Sequence, residues 1–194
     1  LIDSPEAKFN LIASEAVKDA AVKLFTNDDG TPSFYIIDER GDYNALQSKI
    51  EELIISCECN VVVIDVLSDV FDTLSIDEQA KFMGWQKAIC KRYGTIFFNV
   101  MHTRKPASNQ KSASQGAVMT EESMMGSGTS YRSSSMIIML ARDKTAEDEV
   151  LRNMMEVHVT KNRQTGVTGN IMQLAYNLAA HQLEDASHIF EQLK

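Results

Sequence analysis

At 194 residues the chain is long enough to bury a core and suits one domain with added segments. Its 44% hydrophobic and 24% charged content are ordinary for a globular protein, and no apolar run approaches the roughly 20 residues that cross a bilayer. The net charge of −8 excludes a generally basic nucleic-acid binder, but residues 102–163 hold nine Lys/Arg against seven Asp/Glu while residues 1–101 hold nine against seventeen. A cationic stretch within an acidic chain is what local contact with phosphates requires.

Ser4-Pro5 followed by Phe9, Ile12, Ala13, Ala16, Val17, Ala20 and Leu24 predicts an N-capped helix. Leu1 is not an initiator methionine, and no signal-peptide core follows it, so the chain reads as a fragment whose beginning lies upstream. Asn27 to Pro32 is a turn, and Phe34-Tyr35-Ile36-Ile37-Asp38 reads as a short strand. Leu46, Ile50, Leu53 and Ile54 then predict a helix. Asn60-Val61-Val62-Val63-Ile64-Asp65, a β-branched run ending in one carboxylate, reads as a strand buried on both faces. Strand, helix, strand is a βαβ crossover and implies a parallel sheet.

Ile76 to Tyr93 is a predicted helix with Asp77-Glu78 in its first turn, Lys91-Arg92 in its last and Gly94 beyond it. Thr95 to Met101 is a third buried strand that ends at His102. Thr103 to Thr120 is a long polar loop carrying Arg104, Lys105 and Lys111. Met136 to Leu140 is a fourth strand ending near Arg142, and Lys144 to Glu149 is a charged connection. Glu156 to Arg163 and Ile171 to Tyr176 form a hairpin about the turn Thr165-Gly166-Val167-Thr168-Gly169. Leu183, Ile189, Phe190 and Leu193 suggest a terminal helix. The expected division is an N-terminal helix and turn (1–32), an α/β core (33–176) and a tail or helix (177–194).

Cys57, Cys59 and Cys90 match neither a disulfide framework nor a zinc spacing, which suits reduced thiols in a cytoplasmic protein. The chain has no HExxH, no GxxxxGK[ST] and no defensible Ser-His-Asp order. The groups left at strand ends are Asp65, His102 and the pair Lys161/Arg163. Asp65 could hold Mg²⁺ through water, and His102 could hydrogen-bond a phosphate or a polarised water. Each also has an unremarkable role open to it: a strand-end turn, a satisfied histidine, a solvated hairpin turn.

From about Phe34 to Tyr176 the chain resembles the motor domain of the DnaB-like hexameric replicative helicases, with the phage and mitochondrial primase-helicases most similar. Asn60–Asp65 is similar to their Walker B strand. Val100-Met101-His102-Thr103-Arg104-Lys105-Pro106 looks like the next motif, whose histidine senses the γ-phosphate. Gly126-Ser127-Gly128 with Met136–Leu140 resembles the DNA-binding motif. Lys161-Asn162-Arg163-Gln164-Thr165-Gly166-Val167-Thr168-Gly169 matches the segment whose lysine and arginine reach a neighbouring subunit's nucleotide. Tyr176, with Arg142, falls where the primase-helicases hold the base by stacking. Two positions depart from the pattern: Met125 stands where an arginine is usual, and Ser135 where an acidic residue is.

The resemblance implies the second half of a RecA-like P-loop ATPase core, mostly parallel, with the P-loop and catalytic glutamate upstream. It implies ATP or another nucleoside triphosphate as substrate, and Mg²⁺ near Asp65. It implies a hexameric ring that moves on single-stranded DNA held by Arg104, Lys105, Lys111 and Gly126–Gly128. A primase, polymerase or loader would be further partners, and this chain alone would not turn over nucleotide. A recombination- or clock-type ATPase of the RecA, RadA or KaiC kind, and an inactive RecA-like assembly module, share the strand order and stay open.

Overall fold

A computed structural model describes residues 10, 13–39, 41–103, 112, 114–117 and 128–186. The chain divides into two compact units, 1–46 and 47–194. In the first, helix α1 (Glu15–Phe25) starts at Ser14, whose hydroxyl accepts from the Val17 amide, and ends at Thr26. Ser4 and Pro5, the expected cap, lie outside the described residues. Asn27–Pro32 turns as expected: Gly30 adopts φ 81°, the Asn27 amide donates to the Thr31 carbonyl at 2.8 Å, and Thr26 pairs with Pro32. The expected strand at Phe34–Asp38 is absent; residues 34–39 have no regular structure, and Ile36 is 82% exposed. β-branched and aromatic content favours a strand only where a partner edge and a covering face exist.

Helix α2 (Tyr43–Ser56) runs across the boundary into the second unit, where it buries Ile50 and Ile54. There β1 (Val61–Ile64) leads through α3 (Leu67–Asp72) and α4 (Ile76–Tyr93) to β2 (Ile96–Asn99). The two strands pair in parallel, Val61 with Ile96 and Ile64 with Asn99, so the second of the strand–helix–strand units the sequence implies is present, while the first lacks its opening strand. Phe82 is 1% exposed and packs edge-on to Phe71 at 6.4 Å and tilted to Trp85 at 5.2 Å. Trp85 meets Phe97 of β2 at 5.7 Å, and its indole N–H donates to Glu51 of α2. Gln86 and Asn99 exchange two amide hydrogen bonds, so these partly buried polar groups are satisfied.

Only one face of this strand pair is covered. Val63 is 59% and Phe98 55% exposed, with Val61 and Ile96 beside them, which corrects the expectation of strands buried on both faces. The crossover lays helices on one side of a sheet, and among the described residues no second layer covers the other.

Helix α4 matches its expected limits because both ends are written in the sequence. The Ser75 hydroxyl accepts from the Glu78 amide, and the Glu78 carboxylate accepts from the Ser75 amide at 2.8 Å and its hydroxyl at 2.6 Å. Gly94 closes the helix at φ 74°, its amide donating to the Cys90 carbonyl. First the Ser75 hydroxyl and then its amide hold the Glu78 carboxyl below the usual carboxylate range. A depressed folded-state pKa contributes stability above the unfolded value that is lost as pH falls through the folded one. Loss of the N-cap in Ser75→Ala is expected to cost about 1 kcal/mol at neutral pH. The gap to wild type should narrow in chemical denaturation below the carboxylate range, and a gap independent of pH would contradict the reciprocal cap.

The rest of the unit is antiparallel. Helix α5 (Thr129–Ser133) precedes β3 (Met136–Ala141), and helix α6 (Glu149–Asn153) precedes β4 (Met154–Asn162), β5 (Gly169–Asn177) and β6 (Gln182–Asp185). The four strands form one sheet in chain order, so the expected mostly parallel sheet gives way to a two-stranded parallel pair and a four-stranded antiparallel sheet. Tight connections account for the β4–β5 and β5–β6 pairs: the expected hairpin between β4 and β5 is present, and a chain turning back within a few residues can only pair antiparallel. Leu183 lies in β6 rather than in the expected terminal helix; Ile189, Phe190 and Leu193 lie outside the described residues. Ile137 and Met139 of β3 are buried against Ala117 and Tyr131.

Candidate functional site

The parallel pair brings two of the expected residues to one edge. The Val100 amide donates to the Ile64 carbonyl at 3.0 Å and the Leu67 amide to the Val100 carbonyl at 2.8 Å. Asp65 thus leaves β1, and His102 leaves β2, at the shared carboxyl edge, where open α/β sheets bind ligands. Both are exposed. Ser68, buried in the first turn of α3, accepts from the His102 amide at 3.0 Å and ties the two strand exits together. Sequence reasoning missed Ser68; its position three residues after a strand-end aspartate, where a helix begins, was the available signal.

The antiparallel sheet carries the other residues at opposite ends of β4. At one end Arg142 donates from Nε to the Arg152 carbonyl at 2.8 Å and from a terminal nitrogen to Asn153 Oδ1 at 2.9 Å. Tyr176 lies at that same end, one residue past the Met154–Ala175 pair, with its hydroxyl 3.0 Å from His181 Nδ1. At the other end are Lys161, in the last turn of the ladder opposite Ile137, and Arg163 just beyond it. At about 3.4 Å per residue, Met154 to Lys161 spans about 24 Å.

Lys161 and Arg163 are docked on α5. The Lys161 ammonium lies 4.1 Å from the centroid of the Tyr131 ring and donates to the Tyr131 carbonyl. The Arg163 guanidinium donates to the Arg132 carbonyl, and its amide to the Ser135 carbonyl at 2.9 Å. Gly128 caps the start of α5, its carbonyl accepting from the Arg132 amide at 3.0 Å. Arg104, Lys105, Lys111, Gly126 and Ser127 lie outside the described residues.

No family model matches the chain.

Among the described residues no group of three or more His, Cys, Asp and Glu forms a metal cage. Mg²⁺ bound to a phosphate substrate needs no such cage, because one or two carboxylates with waters and phosphate oxygens complete its octahedron. Asp65, exposed at the strand edge, fits that smaller demand. The three cysteines form no disulfide. Burial, and then neighbouring Cys57, pushes the Cys59 thiol up, and burial pushes up Cys90, which keeps both poor nucleophiles. No described helix is long and apolar enough to cross a membrane.

Proposed function

We propose that the chain is part of an ATP-driven ring helicase of the DnaB-like group, built on a RecA-like core, that moves on single-stranded DNA and unwinds duplex at a replication fork. The observation that carries this reading is the joint exit of Asp65 and His102 at the carboxyl edge of a parallel strand pair, pinned by Ser68. Asp65 would hold Mg²⁺, which neutralises phosphate charge, while His102 would contact the γ-phosphate. Two further features support it. The base-holding candidates and the cationic candidates occupy opposite ends of β4, which favours action on two different nucleotides. Among the described residues, the uncovered apolar face of β1 and β2 and the lack of a ladder between β2 and β3 fit a core that another segment completes.

In the ring, one subunit supplies the P-loop, Asp65 and His102, and its neighbour supplies Lys161 and Arg163. Arg142 and Tyr176 hold the base. Hydrolysis then depends on the subunit boundary, which couples chemistry to movement along DNA. Arg104, Lys105 and Lys111, with backbone amides near Gly126–Gly128, track the strand by its phosphates.

Single-stranded DNA binding tests this directly. Neutralising Lys105 and Lys111 together is expected to weaken binding and to flatten the slope of log affinity against log salt by about 1.4, from about 0.7 per phosphate contact. An unchanged slope would remove the loop from the DNA path.

A further inference from the structure

The α5 carbonyls raise a question of accounting. The last carbonyls of a helix have no partner within it and need donors from elsewhere. Ser130 finds them locally, its carbonyl accepting from the Ser134 amide at 3.0 Å and hydroxyl at 2.8 Å. The next two, of Tyr131 and Arg132, are served by Lys161 and Arg163. Both side chains come from the hairpin, about thirty residues downstream, and both are the cations assigned above to a neighbour's triphosphate. The Tyr131 ring is fixed in turn, because it packs on the buried Ile137–Met139 cluster of β3. An ammonium over a fixed aromatic face, with a carbonyl as acceptor, is held in direction as well as in place.

We propose that Tyr131 is a positioning residue that holds Lys161 on the end of α5, so that the helical turn after Gly128 and the phosphate-reaching hairpin move as one piece. This rests on the trans role proposed for Lys161. When Lys161 engages a phosphate in the neighbouring subunit, its ammonium exchanges the Tyr131 carbonyl for a phosphate oxygen while the ring keeps it aimed.

Two measurements on the intact, assembled protein test it. The first is a double-mutant cycle between Tyr131 and Lys161, read as kcat and KM for nucleotide hydrolysis. Tyr131→Phe, which keeps the ring, is expected to match wild type. Tyr131→Leu is expected to lower kcat by about two- to thirty-fold, the span of a cation–π contact, with KM retained. In a Lys161→Ala background the same change is expected to add nothing. An equal loss in both backgrounds, or no loss in the first, overturns the positioning role. If Lys161→Ala itself leaves hydrolysis intact, the trans role fails, and the inference falls with it. The second measurement needs no Tyr131 variant: hydrogen exchange in Lys161→Met is expected to speed up at the Arg132 and Ser134 amides. Unchanged exchange there overturns the capping of α5 while leaving the trans role standing.

Discussion

Arg163→Ala in the intact protein is expected to lower nucleotide turnover by about 10³–10⁵, or about 4–7 kcal/mol of barrier, while nucleotide binding persists. The size follows from what a trans arginine does. It meets charge that grows on the transferring phosphoryl group, so its contribution lies mostly in the transition state and shows in kcat. In the proposed ring, binding would rest on other parts, the P-loop and the base-holding candidates Arg142 and Tyr176. In the chain by itself Arg163 donates to the Arg132 carbonyl, so its side chain has a resting place from which the neighbour's phosphates must draw it. Lys at this position should rescue little, because an ammonium cannot offer the planar fork of a guanidinium. Turnover within a few-fold of wild type, in assembled rings, would remove Arg163 from the reaction.

Phe82→Ala is the second large effect, and it acts on stability alone. Phe82 lies on α4 between Phe71 and Trp85, at 1% exposure, and Trp85 carries the contact on to Phe97 of β2. Removing the ring loses its transfer energy and leaves a cavity that a helix tied at both ends collapses poorly. The expected cost is about 3–5 kcal/mol, read as a fall in the denaturation midpoint at constant slope. A loss below about 1 kcal/mol would mean that the aromatic chain is not the core's centre. The exposed neighbour Lys81 serves as a control on the same helix, where Ala should change little.

The elements legible in the sequence were those whose ends carry their own chemistry. Helix α4 could be read from Ser75 and Glu78 to Gly94 because a cap box and a left-handed glycine stop it regardless of tertiary context. The β4–β5 hairpin was legible from the glycines of its turn. Sheet order was not legible. The run Met136–Leu140 is continuously apolar, yet β3 alternates buried and exposed because, among the described residues, only one face, that of Ile137 and Met139, is covered, and it pairs antiparallel with β4. β6 does not read as a strand in the sequence because its turn has neither Gly nor Pro. Asn177 makes that turn instead, its side-chain oxygen accepting from the Ala179 and Ala180 amides, and His181 takes φ 52°.

The candidate site divides the same way. Asp65 and His102 could be found from sequence because each ends a strand, and two parallel strands must finish at one edge. Ser68 and Tyr131 could not be singled out. The first acts through its hydroxyl on a backbone amide thirty-four residues away, and the second sits in a helix of five residues, too short for any periodicity.

The shared site is tested most directly by mixing two crippled proteins. On the proposed reading, Asp65→Asn and Arg163→Ala protomers damage opposite sides of the same boundary, so each is expected to form inactive rings by itself. In rings assembled from equal amounts of both, about one boundary in four joins an intact Asp65 to an intact Arg163 across a head-to-tail interface. Nucleotide hydrolysis is expected to reappear on mixing, in proportion to those boundaries. Mixed rings that form and stay inactive would contradict the convergence of two protomers on one triphosphate.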